Sequence, residues 1–261
     1  MDYSPYRALW EMTWAELEAS IRDIDLVLLP VGATVQHGPN STFASDALRA
    51  YQFSIKIAER LFPRVLVAPA MPFGIAPQHM SFSGTISLTS ETFMNVMYEI
   101  VESLTEHGFD RFLFVNAHSG NQGSLEYLLS RIRNKLDIYA AWVSISDLAR
   151  DVMLPAGQGE QAGHADRNEI SQLLYLAPET VRVDSLAAGE ALEPEYPFTS
   201  AAGPIYTAST LDDLSANGVL GDGRGASYEL GERIITTALD RVCAFIDAFT
   251  EGDTFYPPSV E

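Results

Sequence analysis

The chain has 261 residues, 47% of them hydrophobic, which is enough apolar material for an ordinary α/β domain and excludes a disordered chain. A formal net charge of −19, with Lys56 and Lys135 as the only lysines, excludes polyanionic partners such as nucleic acid and anionic membrane. No apolar run approaches the roughly 20 residues that span a bilayer, and the single cysteine, Cys243, excludes an intrachain disulfide framework.

The first residues, Met1 to Arg7, lack the basic start and apolar block of a secretory signal, and the single cysteine makes a reducing cytoplasm the expected location. Trp14 to Arg22 has helical spacing behind the capping residue Thr13. Asp25 to Val31 predicts a buried strand, followed by a glycine-containing loop that carries His37. Ser45 reads as the cap of a helix running to about Leu61, with Asp46 in its first turn. Arg64 to Ala70 predicts a second strand and Thr85 to Leu88 a short third. Ser90-Glu91 then opens a helix that His107-Gly108 stops, which assigns His107 to capping rather than chemistry.

Arg111 to Asn116 predicts another buried strand, Ser119 to Leu136 a helix, and Ile138 to Ser146 a strand. This βαβα alternation predicts an α/β three-layer sandwich, a mostly parallel central sheet covered by helices on both faces. Beyond it, Leu154 to Gly163 reads as a loop and Ala165 to Tyr175 as a short helix. Ala187 to Asn217 is a long irregular stretch that suits a lid or a subunit contact. Tyr228 to Phe249 predicts a closing helix in which Cys243 is a small buried core residue. With no repeat and no interdomain linker, residues 1–261 read as one domain.

Four of the five histidines fall in short polar runs at the ends of hydrophobic stretches, where α/β enzymes keep their chemistry. His37 follows the first buried strand, and Asp46 comes nine residues later. His118 lies in Asn116-Ala117-His118-Ser119-Gly120-Asn121, directly after another strand. His164 precedes Glu169 by five residues, and His79 stands ahead of Gly84-Thr85. The step from His37 to Asp46 carries the chain from a strand end to a helix N-terminus, and a neighbouring parallel strand would bring His118 into the same crevice. Two imidazoles and a carboxylate, with positions left open, form the donor set of a catalytic divalent-metal site. Glu169 adds a fourth ligand or a base, and His164 a proton donor.

The competing readings are structural. Asp46 would merely complement a helix dipole, and Glu169 would pair with Arg167 or another arginine. Gly218 to Gly225 lacks the ending of a phosphate loop, and Ser119 is not placed as a nucleophile elbow.

At these residues the chain resembles the creatininase (creatinine amidohydrolase) family. The resemblance is carried by Leu29-Pro30-Val31-Gly32 through Gln36-His37-Gly38-Pro39, Asp46, and Phe82 to Leu88. It continues through Asn116 to Asn121, His164 through Ser171, and Gly218 to Asp222 followed by Gly231. It implies a three-layer α/β fold, a homo-oligomer that is hexameric in many members, and one or two zinc, manganese or iron ions at the strand ends. Characterised members hydrolyse C–N bonds in cyclic amides, a formamide or a peptide, and one lineage is taken to act on an inosose-type ketone.

The departures narrow these expectations. Val35 stands where the family has a metal-ligating glutamate, and Gly120 where creatininase has a second. Asp46 keeps the position that bridges two metals in the family, and His164 that of a catalytic histidine. Glu160 replaces a tryptophan of creatininase, which argues against creatinine as substrate. One divalent ion per chain is therefore expected, held by His37, Asp46, His118 and Glu169, with His164 and Glu169 catalytic. His79, Gly84, Thr85 and Glu160 are expected to contact a small polar substrate, cyclic or amide-containing. C–N bond hydrolysis is the expected reaction. The alternatives are opening of a cyclic polyol ketone and a catalytically silent ligand-binding protein, for which Val35 argues. Tyr196, Phe198, Tyr206 and Leu211 lend the stretch before Asn217 the apolar weight of a subunit contact.

Overall fold

The computed structural model describes residues 6–154, 163–192 and 209–251. Its sheet has five parallel strands in the order β1-β3-β2-β4-β5. They are β1 (Arg7–Ala8), β2 (Leu26–Val31), β3 (Val65–Val67), β4 (Arg111–Asn116) and β5 (Tyr139–Ser144). The helices are α1 (Trp14–Ser20), α2 (Ser45–Arg60), α3 (Ser90–Glu106), α4 (Gln122–Leu136), α5 (Arg167–Leu176) and α6 (Tyr228–Glu251).

Alternation along the central strands builds the three layers. Leu26 and Leu28 of β2 and Leu113 and Val115 of β4 point to one face, where Phe53 and Ile57 of α2 and Ile234 and Leu239 of α6 cover them. Val27, Leu29 and Val31, with Phe112 and Phe114, point to the other face, against Phe93 and Met97 of α3 and Leu125 and Leu128 of α4. Because both faces are buried, β2 reads as a continuous apolar run rather than an alternating one.

The helix signals act as expected at Thr13, which forms a capping box with Glu16, and at Thr89, whose side chain accepts from Thr92 N. His107 is the exposed C-cap of α3, and Gly108 after it adopts φ +95°. Three expectations need correction. Ser45 is the first residue inside α2, not its cap; the N-cap is Ala44, and the Ser45 hydroxyl donates to Thr42 O (2.5 Å). Thr85 to Leu88 does not join the sheet, and only single bridges tie Ile86 to Thr34 and Ser87 to Gly74. Cys243, in α6, is half-buried and packs at the margin of the core rather than inside it. Of the stretch before Asn217, residues 193–208 lie outside the described residues, with Tyr196, Phe198 and Tyr206 among them. No helix among the described residues is long and apolar enough to cross a membrane.

Candidate metal centre

β2 and β4 are neighbours, with Val31 paired to Asn116, so the loops that follow them leave the sheet side by side. Two residues past β4, His118 is held by the Asn116 side chain, whose amide donates to His118 O (2.8 Å) and whose Oδ1 accepts from His118 N (3.2 Å). Asn121 locks this turn to the β2 loop by donating to Gly32 O (3.0 Å) and to Asn116 Oδ1 (3.2 Å). Asp46 arrives on the first turn of α2. Glu169 arrives on the first turn of α5, where Asp166 caps the helix by accepting from the Asn168 and Glu169 N–H groups.

Backbone carbonyls decide which ring nitrogens carry protons, because a carbonyl can only accept. His37 Nδ1 donates to Val35 O (3.1 Å), His118 Nε2 to Ile75 O (3.0 Å), and His164 Nε2 to Gln36 O (2.6 Å). The neutral rings therefore present lone pairs at His37 Nε2 and His118 Nδ1. Both face one carboxylate: His37 Nε2 is 3.4 Å from Asp46 Oδ1, and His118 Nδ1 is 3.1 Å from Asp46 Oδ2. Glu169 Oε2 lies 3.8 Å from the same His37 nitrogen.

Lone pairs facing carboxylate oxygens in a buried site repel unless a proton or a cation lies between them. His37 and Asp46 are 1% and 2% exposed, and His37 Nε2 and Asp46 Oδ2 have no hydrogen-bond partner among the described residues. This donor set fits a divalent ion, and the carbonyl on the far side of each imidazole is the usual support of a metal-ligating histidine. His37, His164 and Glu169 each offer a ligand atom, all within 4.8 Å of one another.

In the metal-free protein, a proton on His37 stands in for the cation's charge. Burial opposes charge on His37, but attraction and hydrogen bonding from Asp46 and Glu169 outweigh it and raise the imidazole to about 10. Burial likewise opposes charge on Asp46, yet His37 and His118 hold it well below the usual carboxylate range. Glu169 is held low against its burial by Arg49 and His37. His164 is lowered to about 4 by burial and the neighbouring His37 charge, and His79 to about 3 by burial and the surrounding histidines.

The centre opens into a cavity of about 840 Å³ lined by Asp46, Arg49, His79, His118, His164 and Glu169, and also by Ser144, Ser146 and Arg150. The structure thus brings together His37, Asp46, His118, His164, Glu169 and His79. It does not bring Gly84 and Thr85 to the cavity wall. Gly84 lies against the Phe43 ring, and Thr85 Oγ1 accepts from Gln36 N (3.3 Å), an indirect support of the His37 loop. Glu160 lies outside the described residues.

Two residues escaped the sequence reading. Gln36 ties the histidines together, its side-chain amide 3.2 Å from His79 Nδ1 and donating to Gly218 O (3.0 Å). Arg49 is the arginine that pairs with Glu169, through Nη1 and Oε1 at 2.8 Å. The available signal was its spacing: Arg49 stands one turn after Asp46, beside Ala50 and Phe53 on the buried stripe of α2, where a lone cation is out of place.

This fold and donor set define a class of metal-dependent hydrolases. The chain belongs to the creatininase (creatinine amidohydrolase) family, whose model matches residues 10–246. A mycofactocin precursor peptide peptidase of Mycobacterium ulcerans is 30% identical over 233 residues, covering 87% of this chain and 86% of that protein. The creatinine amidohydrolase of Pseudomonas putida is 29% identical over 269 residues, covering 95% and 97%. In fold, the chain matches a putative creatinine amidohydrolase from Bacteroides fragilis with a TM-score of 0.83 at 19% identity, covering 97% and 100%. At 25% identity it matches a manganese creatininase (TM-score 0.76, covering 95% and 100%) and a mutant creatininase of the Zn–Zn type (TM-score 0.78, covering 96% and 100%).

Proposed function

We propose that this chain, as one domain, hydrolyses an amide-type C–N bond in a small polar substrate, using one divalent ion held by His37, Asp46, His118 and Glu169. The observation that carries this reading is the pair of imidazole lone pairs aimed at the two oxygens of one buried carboxylate. When bound, the ion supplies Lewis acidity to the scissile carbonyl and an activated water. His79 accepts from Gln36 at Nδ1, so its Nε2–H is the donor available to the substrate. His164 is held by Gln36 O at Nε2, so Nδ1 is the atom that takes up a proton and passes it to the leaving nitrogen. Glu169 keeps Oε1 on Arg49 and accepts from Ala165 N at Oε2 (2.7 Å), which fixes its orientation toward His37.

The deciding variant is His118→Ala. It should lose both the ion and hydrolysis in a metal-supplemented screen of lactams, cyclic ureas, formamides and cyclic polyol ketones. If a ligand binds the parent and this variant equally, and the parent never hydrolyses anything, the chain is a binding protein instead.

Metal uptake should also release a proton. His37 is charged near neutrality in the metal-free protein, and a ligating imidazole must be neutral. Affinity should therefore rise about tenfold per pH unit between pH 6.5 and 8, with about one proton released in calorimetry across buffers of different ionisation heat. The same shift sets metal-free stability. The raised His37 contributes fully below about pH 6.5 and loses its contribution as pH climbs toward 10. The depressed Asp46 and Glu169 contribute above the ordinary carboxylate range and lose it as pH falls. A metal-free melting temperature that climbs from pH 7 to 9 would contradict this assignment.

The enzyme is further proposed to work in the cytoplasm as a homo-oligomer. Light scattering at micromolar concentration should return a multiple of the 28.6 kDa chain mass, and a monomer would dismiss the assembly.

A further inference from the structure

We propose that the Arg49 guanidinium is a resident cation of this centre, taking the charge-balancing place of a second divalent ion so that the site closes on one. The inference rests on the metal reading above and concerns what limits the number of ions.

Arg49 is 4% exposed, a costly burial for a charged group unless it is compensated. The compensation comes from the centre itself. Nη1 pairs with Glu169 Oε1 at 2.8 Å, Nη2 lies 3.6 Å from Asp46 Oδ1, and Nη2 donates to Ala117 O, the carbonyl just before His118. A planar guanidinium can reach two carboxylates at once and carries a permanent charge. Its Nε has no hydrogen-bond partner among the described residues, so hydrogen bonding alone does not account for its burial. What it supplies is positive charge between Asp46 and Glu169.

Apart from His164, which stands within 4.8 Å of the His37 and Glu169 ligand atoms, the surroundings give a second ion little to bind. Val35 is fully buried and apolar, in a small cluster with Ala33 and Ala76. Gly120 cannot take a ligating side chain: a Cβ there would stand 2.1 Å from Ile75 O and 2.6 Å from His118 Nε2, inside the bond that orients His118. Charge points the same way. Asp46 and Glu169 together carry −2, and Arg49 reduces this to −1. One divalent ion leaves the buried site at +1, whereas two would leave it at +3, a strongly unfavourable sum where water does not screen.

The test is a zinc titration of metal-free protein, with stoichiometry by elemental analysis and affinity by chelator competition. Wild type should take one equivalent. Arg49→Met and Arg49→Gln remove the charge and should bind that ion at least about tenfold tighter, with a second, weaker equivalent appearing. Arg49→Lys keeps the charge and should stay at one equivalent with near-parental affinity. The glutamine variant retains a planar donor for Ala117 O and serves if the methionine variant does not fold, as judged by circular dichroism. Two tight equivalents in wild type overturn the proposal, as does unchanged affinity with one equivalent in both uncharged variants. Zinc on the uncharged variants but not on wild type would support Arg49 as the site's cation while overturning the metal reading. No zinc on any form overturns both.

Discussion

Replacing Asp46 by asparagine is expected to abolish metal retention and to lower turnover by roughly a thousandfold or more, because a catalytic ion contributes several kcal/mol to the transition state. Among the described residues, Asp46 is the one faced by both imidazole lone pairs, one at each oxygen. An asparagine has one acceptor oxygen and one donor NH2. The donor would satisfy one imidazole by an ordinary hydrogen bond, and the ion would lose both a charge and a ligand atom. The fold should survive, since the side chain keeps its shape and α2 keeps its packing on β2. Metal content provides a measure independent of substrate. An Asp46→Asn protein that holds one tight ion and keeps most of its parent's activity would remove Asp46 from the centre.

The largest stability effect is expected from Gly231→Ala. Gly231 is buried in α6 where that helix crosses α5, and a Cβ there would lie 1.8 Å from Ser171 O and 3.2 Å from Tyr175 Cβ. The oxygen belongs to a helix backbone and cannot swing aside, so the helices must part. Overpacking of this kind costs about 1–3 kcal/mol or more, which corresponds to a fall in melting temperature of roughly 3–10 °C for a chain of this size. Because α5 also carries Glu169, the displacement should weaken metal binding as well. Gly123→Ala is the matched control. It stands at the start of α4 with open space around it, so alanine should be neutral or stabilising by a few tenths of a kcal/mol. Equal melting temperatures for the Gly231→Ala protein and its parent would mean that α5 and α6 do not approach so closely.

How much of this was legible beforehand depended on the range of the forces involved. The parallel three-layer architecture could be read because its causes are local: apolar runs such as Leu26–Val31 and Arg111–Asn116, and caps such as Thr13 and Thr89 whose partners lie three residues away. The meeting of His37, Asp46 and His118 could also be read, because strand ends in a parallel sheet collect at one edge. Thr85 to Leu88 was misread because four residues with strand-like side chains carry no information about whether a sheet edge is within reach. Ser45 was misread because a hydroxyl suited to capping was claimed by Thr42 O and Ser41 instead.

By itself, then, the amino-acid sequence determined the layers, the order of the elements and the donor types that would gather at the strand ends. Only the tertiary structure decided their use. Which imidazole nitrogen is a lone pair depends on carbonyls two to 128 positions away, those of Val35, Ile75 and Gln36. The meaning of Glu169 depends on Arg49, 120 residues earlier in the chain yet 2.8 Å distant. Hydrophobic periodicity is a property of neighbouring residues and survives in one dimension. The protonation and charge balance of a buried site are set by whatever the folded chain places within a few ångströms, in a medium that screens weakly, and that exists only once the fold has formed.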